Sequence, residues 1–369
     1  MPTADYSLSV SEEFEDNAWD AFLEKMPGGD HLQTSLWAQV KASVGWRPIR
    51  LVVRCEELIV AGAQILVRDT PIVGAIGYVV KGPVFAYEDP DLVALLTAKL
   101  QEIARSYSIQ QLSVQPPLAY GPLLPTLKDR GFSPSPFKLA PPATTRLDLS
   151  RSEDELLAGM NSRTRYNVRR SSRKGIIVRT GSDEDLQAYY RLVEATTERK
   201  QFAGFPRRYY DAMWRILAPR GYMKLLVAEY EGEIVSELML ITFGDTALNK
   251  LGVWSGKHGD KRPNDAIHWA AATLAKSLGH RYYDLGGIAE SAAEAILQGE
   301  PLPESAVQTV TSFKLDFGGE VLLFPFASDY HAKPLYRWAF TEVYPWLHKH
   351  KSVRRAFNWL RTRRTLLKR

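Results

Sequence analysis

The sequence predicts an α+β protein built from two copies of one unit, and three observations support this. Residues 51 to 66, LVVRCEELIVAGAQIL, return 175 positions later without a gap as LVAEYEGEIVSELMLI at 226 to 241. Leu51, Val52, Glu56, Ile59 and Val60 meet Leu226, Val227, Glu231, Ile234 and Val235. The same offset joins the helix-like stretch opening at Asp89 to one opening at Asn264. Any two amphipathic hairpins share some likeness, but here the order of four elements repeats: strand, tight acidic turn, strand, strand, helix. A repeated α/β unit signals a tandem of like domains. Clefts between domains are where ligands bind.

The elements follow in order. Leu32 to Ser43 has helical spacing and ends at Gly45-Trp46. Arg47 to Cys55 and Leu58 to Val67 read as a hairpin around Glu56-Glu57. Ala75 to Val80 is a third strand, closed by Gly82-Pro83. Asp89 to Tyr107 is a helix with an aspartate at its start. A short strand, Gln111 to Val114, precedes Pro116-Pro117, and a helix from Leu124 to Arg130 stops at Gly131. The Pro-rich stretch from Ser133 to Pro142 reads as the linker between copies. The second copy opens with the strand Thr144 to Leu149, and Ser150 and Ser152 are available to cap the next helix. A basic helix, Arg163 to Lys174, ends at Gly175, and helices follow over Asp183 to Lys200 and from Arg208 onward. After the repeated strands come a helix, Asp265 to Leu278, and a strand, Arg281 to Leu285. Glu290 to Ser305 reads as a loop of small and acidic residues, Val321 to Pro325 as a last strand, and terminal helices begin near Lys333. The boundaries place a first domain over residues 1–142 and 326–369 and a second over 143–325. Three strands, a helix and a strand, used twice, give mixed sheets flanked by helices. This is the shape of the acetyltransferase-like (GNAT-type) fold in duplicate.

Composition narrows the class. Hydrophobic residues make up 45% and charged residues 24% of the 369, a soluble globular balance. No apolar run reaches the roughly 18 residues of a membrane span, and the polar, acidic start MPTADYSLSVSEEFED does not read as a secretory signal. The single cysteine, Cys55, excludes an internal disulfide and a cysteine-rich zinc site. These features place the protein in the cytoplasm. Nine Lys or Arg and no acid lie from Lys349 to Arg369, so the net charge of +5 becomes −4 without that segment. Val353, Phe357, Leu360 and Leu367 fall near helical spacing among its arginines. Such a basic helix either lies on RNA or the inner face of an anionic membrane, or packs its apolar stripe on the body. There is no Walker loop, no Gly-x-Gly-x-x-Gly and no Gly-x-Ser-x-Gly elbow. The seven histidines show no ligand-like pairing, and no glycine run suited to the CoA pyrophosphate is present. An acyl-transfer fold lacking that loop needs another activated donor, and none of these signals calls for a cofactor.

Six segments together carry a resemblance: LQTSLWAQVK at 32–41, GYVVKGPVF at 77–85, SRTRYNVRRSSRKG at 162–175, RPNDAIHW at 262–269, YYDLGGI at 282–288 and TSFKLDFGG at 311–319. In this order the chain resembles the FemABX family of aminoacyl-tRNA-dependent peptidyltransferases, which build the peptidoglycan cross-bridge. It looks like the compact, FemX-like members, because no long charged helical hairpin interrupts Lys174 to Asp284. It departs from the pattern at SVQPP, where Gln115 stands at a position often held by an acid, and at FPRRYYDAM, whose Arg-to-Tyr spacing is tight.

The resemblance implies roles residue by residue. Lys41, one turn after Trp37, matches a lysine that contacts the phosphates of a nucleotide-linked muropeptide, and a diphosphate calls for mobile cations. Tyr78 lies in the second matching segment. Arg207, Arg208, Tyr209 and Tyr210 form a basic-aromatic cluster, of which one Arg and one Tyr contact the same substrate by resemblance. Their other reading is a helix start with snorkelling arginines. Phe313 and Lys314 are the expected reaction centre. The phenylalanine suits stacking on a terminal adenine. The lysine suits either an oxyanion or a tRNA phosphate. Trp254 either lines the acceptor channel or is core, and Asp284 before Gly286-Gly287 suits a turn as well as chemistry. The single-signed run Arg163 to Lys174 is either a solvated face or a nucleic-acid contact.

The expected activity is transfer of an amino acid from aminoacyl-tRNA to the stem-peptide amine of a peptidoglycan precursor, either UDP-MurNAc-pentapeptide or lipid II. The rival expectations are an acyl-CoA-dependent N-acyltransferase on the same fold, a tRNA-dependent natural-product peptide ligase, and a non-catalytic RNA or membrane binder acting through the basic tail.

Overall fold

The computed structural model of the protein describes residues 5–71, 73–118, 123–200 and 204–343. The basic segment Lys349 to Arg369 lies outside them. Two mixed sheets carry the fold. The first takes β1 (Tyr6–Ser11), β2 (Arg47–Cys55), β3 (Leu58–Thr70), β4 (Gly74–Val80), β5 (Val84–Phe85), β6 (Ile109–Gln115) and β7 (Ser133–Pro134). The second takes β8 (Ala143–Asp148), β9 (Ile177–Thr180), β10 (Met223–Tyr230), β11 (Glu233–Phe243), β12 (Thr246–Trp254), β13 (Tyr282–Ile288) and β14 (Glu320–Leu323). The chain then returns to the first sheet as β15 (Ser328–His331), between β6 and β7. In each sheet an antiparallel hairpin and third strand are followed by a strand parallel to the third, in the orders β2-β3-β4-β6 and β10-β11-β12-β13.

The repeat holds to the residue. The hairpin turns at Glu56 and Glu231, 175 positions apart, are both left-handed, at φ 52° and 51°. The β-bulges also fall in register, after Val53 in one copy and after Ala228 in the other.

Among the described residues twelve α-helices are interspersed with the strands: α1 (Asn17–Lys25), α2 (Ser35–Ala42), α3 (Pro90–Ser106), α4 (Leu123–Asp129), α5 (Glu153–Gly159), α6 (Ser162–Arg173), α7 (Leu186–Lys200), α8 (Arg207–Leu217), α9 (Pro263–Ser277), α10 (Glu290–Leu297), α11 (Val310–Leu315) and α12 (Pro334–Trp338). Asp89 caps α3, accepting from the amides of Asp91 and Leu92. Ser152 caps α5 in a capping box with Glu155. Residues Glu290 to Leu297, expected as loop, form α10: ESAAEAIL is rich in helix formers, and Ala292, Ala293 and Ala295 give it a buried face. The helix expected from Leu32 opens instead as a short 3-10 turn, and Thr34 then caps α2.

Each sheet has its own core, one built on Ile49, Leu51, Ile65 and Leu96, the other on Leu238, Leu240, Ile267 and Tyr283. A further cluster joins the two sheets. Trp19, Leu36 and Trp37 from α1 and α2 pack there with Tyr189, Tyr209, Tyr210 and Met213 from α7 and α8. The functional candidates lie around this junction.

Candidate functional site

One local irregularity positions the site. In the first sheet β4 and β6 stay paired to their ends, Val80 against Gln115. In the second, β12 and β13 pair only from Thr246 to Leu248 against Tyr282 to Asp284, and then splay. The YYDLGGI sequence causes this: Gly286 sits at φ 82°, and β13 changes register against β8 between Asp284 and Gly287. An added Cβ on Gly286 would stand 2.9 Å from the Asn249 carbonyl and 3.3 Å from Lys314 Nζ, so only glycine fits there. Side chains fill the splay. Asn249 Nδ2 donates to the Leu285 carbonyl at 3.1 Å, and Lys314 Nζ donates to the Gly287 carbonyl at 2.8 Å.

On one side of the junction is a cavity of about 410 Å³, which brings together Trp37, Lys41, Tyr78, Tyr209 and Tyr210. Lys41 Nζ lies 5.5 to 5.8 Å from the ring centroids of Trp46, Tyr78, Phe205 and Tyr209, an aromatic cage for an ammonium. Burial, with Arg68 nearby, pushes Lys41 down to about 8. The cavity also holds Lys250 of β12, which sequence reasoning missed. Its Nζ stands 4.2 Å from the Trp37 ring, and burial pushes it down to about 8 although Asp30 opposes this. Among the described residues neither lysine has a carboxylate within ion-pair distance. Burial also raises the Tyr78 and Tyr209 hydroxyls, which stay protonated.

A second cavity, of about 290 Å³, is lined by Asp30, His31, Lys81, Arg146 and Asp284. Lys81 Nζ pairs with Asp30 at 2.8 Å. This pairing holds the Asp30 carboxyl well below the usual range against its burial, and holds Lys81 up. His31 bonds Asp30 through Nδ1 at 2.9 Å and meets the Trp37 ring edge-on, while burial keeps it neutral. Asp284 accepts from Thr144 and from the Gly286 amide. It supports the charge on both Lys81 and Lys314. Burial pushes Lys314 down to about 8.

A third cavity, of about 430 Å³, brings Trp254 and Phe313 together beside Arg262 and Asp265 at the start of α9. Phe313 packs edge-on against His268 and Phe317. Burial pushes His268 down to about 3, so it is a neutral imidazole and a weak base. Arg207 and Arg208 line none of these cavities. Arg207 lies 4.2 Å over the Tyr190 ring, and Arg208 Nε donates to the Ser43 carbonyl at 2.9 Å, tying α8 to α2. Gln115, at the position where the resemblance led to an acid, is buried, and its Oε1 has no partner among the described residues.

The cavities are linked. Lys250 acts electrostatically on Lys41, Lys81 and Asp30, and Asp284 couples Lys81 to Lys314. Four ammonium groups and two carboxylates thus run between the sheets from the first cavity to the splay. Such an interior favours an anion or a developing negative charge.

Comparisons with known proteins agree with this architecture. Residues 162–293 match the model of the Acetyltransferase (GNAT) domain, and residues 14–124 match the FemAB family. A lipid II:glycine glycyltransferase of Staphylococcus saprophyticus is 26% identical over 273 residues, covering 71% of this chain and 66% of the relative. One from Staphylococcus aureus is 26% identical over 223 residues, covering 58% and 53%. The chain therefore spans between about half and two thirds of the length of these relatives. Among solved structures, the crystal structure of FemX matches with a TM-score of 0.78 at 20% identity, covering 89% of this chain and 99% of FemX. A tandem GNAT protein from the clavulanic acid biosynthesis pathway matches with a TM-score of 0.55 at 13% identity, over 89% and 99%. The fold is a tandem of acetyltransferase-like domains. The chain is similar to the FemAB family over residues 14–124, and its fold as a whole is similar to that of FemX.

Proposed function

We propose that this protein transfers an amino acid from aminoacyl-tRNA to the stem-peptide amine of a peptidoglycan precursor, forming an interpeptide bridge. The observation that carries this reading is the cationic row Lys41, Lys250, Lys81 and Lys314. At one end it opens on an aromatic-lined cavity, and at the other it reaches the splay beside Phe313. A precursor carrying a sugar diphosphate suits the first end, with its anions against Lys41 and Lys250 and its apolar surfaces against Trp37, Tyr78, Tyr209 and Tyr210. Arg207 and Arg208, exposed outside the cavity, serve at most its mouth. The relatives named as lipid II:glycine glycyltransferases support lipid II as acceptor and glycine as the amino acid. No described helix is long and apolar enough to cross a membrane.

The reaction is ester aminolysis. The amine attacks the aminoacyl carbonyl, a C–N bond forms, and the bond to the ribose oxygen breaks. The amine gives up a proton and the ribose oxygen gains one. Lys314, charged at neutral pH, would hold the oxyanion of the tetrahedral intermediate. Trp254 and Phe313 would seat the donor's 3′ end. Positioning two bound substrates supplies several kcal/mol of the rate enhancement.

The test is a transfer assay with a mixed pool of labelled aminoacyl-tRNAs. Lipid II and UDP-MurNAc-pentapeptide serve as parallel acceptors, with RNase-treated controls. RNase-sensitive label on either acceptor is expected. Transfer from acyl-CoA instead, or no transfer by folded protein, would overturn the reading.

A further inference from the structure

Several surface arginines pair with acids: Arg47 with Glu12, Arg146 with Glu320, Arg179 with Asp185 and Glu229, Arg220 with Glu15. Helix α6 is different. Its sequence, SRTRYNVRRSSR, contains no acid. Thr164, Asn167, Val168 and Ser171 form its buried face, which leaves Arg163, Tyr166, Arg169, Arg170 and Arg173 exposed. Among the described residues these four guanidiniums make no hydrogen bond or ion pair to protein. Arg170 lies only against the Tyr166 ring, at 5.5 Å. From Arg163 to Arg173 the helix advances about 15 Å. Four unpaired like charges along that length repel one another, so their arrangement is set for a partner that supplies anions at similar intervals.

The helix is fixed to the rim of the Trp254–Phe313 cavity at three points. The Asn161 amide donates to the Asp316 carbonyl at 2.9 Å, three residues past Phe313. Asn167 Nδ2 donates to Asp265 Oδ1 at 3.2 Å, and Lys174 Nζ donates to the Asp260 carbonyl at 3.0 Å. Asp260 and Asp265 both line that cavity. The basic face is therefore held rigidly beside a slot walled by two aromatic side chains, the kind of surface on which a nucleobase stacks.

We propose that α6 is the docking surface for the acceptor-stem backbone of an RNA whose 3′ end enters the Trp254–Phe313 slot. This rests on the reading of aminoacyl-tRNA as donor, and it assigns the part of the donor beyond the reacting ester. An anionic membrane is the lesser fit. The outward side of α6 presents arginines and one tyrosine and no aliphatic residue, whereas a helix seated in a lipid interface needs an apolar face.

The experiment uses the full chain and the quadruple variant R163Q/R169Q/R170Q/R173Q. Equilibrium binding of an uncharged tRNA is measured across salt concentrations, with phosphatidylglycerol vesicles in parallel. Each phosphate contact contributes about 0.9 to the slope of log affinity against log salt. The variant is therefore expected to lose about 3 to 4 from that slope and at least tenfold in affinity at low salt, and the matching Arg→Lys variant to regain most of both. In the transfer assay KM for tRNA rises while kcat at saturating tRNA is kept. An unchanged slope and affinity for tRNA would overturn the proposal, as would a loss confined to vesicle binding. If wild type transfers nothing from any tRNA, the proposed activity fails, and the salt titration still decides whether α6 binds RNA.

Discussion

Lys250→Met separates stability from affinity, because the structure gives this ammonium an unfavourable setting in the empty protein. Burial takes Lys250 from 10.5 to about 8, worth about 3 kcal/mol at about 1.36 kcal/mol per unit. Lys250 is partly exposed, so solvent screening reduces this and the cost of holding the charge is about 1 to 3 kcal/mol. Methionine keeps the apolar stem against Trp37 and removes the charge, so the empty variant should be more stable than wild type by that amount at pH 7. The unfolded chain keeps this proton to about pH 10.4, while the folded chain releases it near 8. The unfolded state binds more protons between those values, so wild-type stability gains from this group as pH rises through them. The variant's advantage is therefore full below pH 8 and gone above about pH 10.5. Binding moves in the opposite direction. Losing one charged contact to a diphosphate costs about 1.5 to 3 kcal/mol, roughly 10- to 150-fold in Kd. Urea unfolding at pH 7 and 10 measures the first quantity, and calorimetric titration with UDP-MurNAc-pentapeptide measures the second. A variant that is destabilised at pH 7, or that binds the precursor as tightly as wild type, would refute the reasoning.

Three other outcomes follow from the same structure. Lys314→Met should lower kcat for transfer at least 100-fold with little change in thermal stability, and wild-type rate should fall as pH rises through about 8 as Lys314 discharges. Full activity in the variant would remove Lys314 from the reaction. Glu237 of β11 is fully buried with both carboxylate oxygens unpaired among the described residues, and burial pushes it up to about 8. The folded state therefore holds a proton that the unfolded chain releases near 4.3, and wild-type stability falls between those pH values. Glu237→Gln should be more stable than wild type at pH 8.5 and indistinguishable near pH 4, read by urea unfolding. Gly62→Ala places a Cβ 2.5 Å from the Leu51 carbonyl and 2.7 Å from the buried Trp19 ring. Chemical denaturation should show a loss of about 1 to 3 kcal/mol.

Much of the fold was legible because it is local. The hydrophobic alternation of LVVRCEELIV and LVAEYEGEIV marks two hairpins, and the structure keeps their turns and bulges in register. Asp89 and Ser152 announce their helices through side-chain capping, a contact within three residues. The Glu290 to Leu297 helix was hidden because its alanines and glutamates read as a loop of small residues, although they are strong helix formers. β1, α1 and β15 were not anticipated. β15 in particular is a strand only because β6 and β7, far away in sequence, leave room between them.

The candidate site was legible in a different way. Lys41, Trp37, Tyr78, Phe313 and Lys314 were reached through family resemblance, and the structure puts the first three in one cavity and Phe313 in another. Lys250 carried no signal, since in TALNKLGVW a lysine on a half-buried strand looks like an ordinary solvated residue. The Asp30–Lys81 pair joins a loop to the end of β4 across about fifty residues and follows from no spacing rule.

The sequence by itself determined the duplicated strand, turn and helix pattern, because those choices depend on side-chain periodicity and on neighbours within a few residues. Only the tertiary structure decided where charge would gather. The splay between β12 and β13, and the packing of α2 on α8, bring lysines from four separate segments into a low-dielectric junction. Their altered protonation and their distances exist only once both sheets are packed.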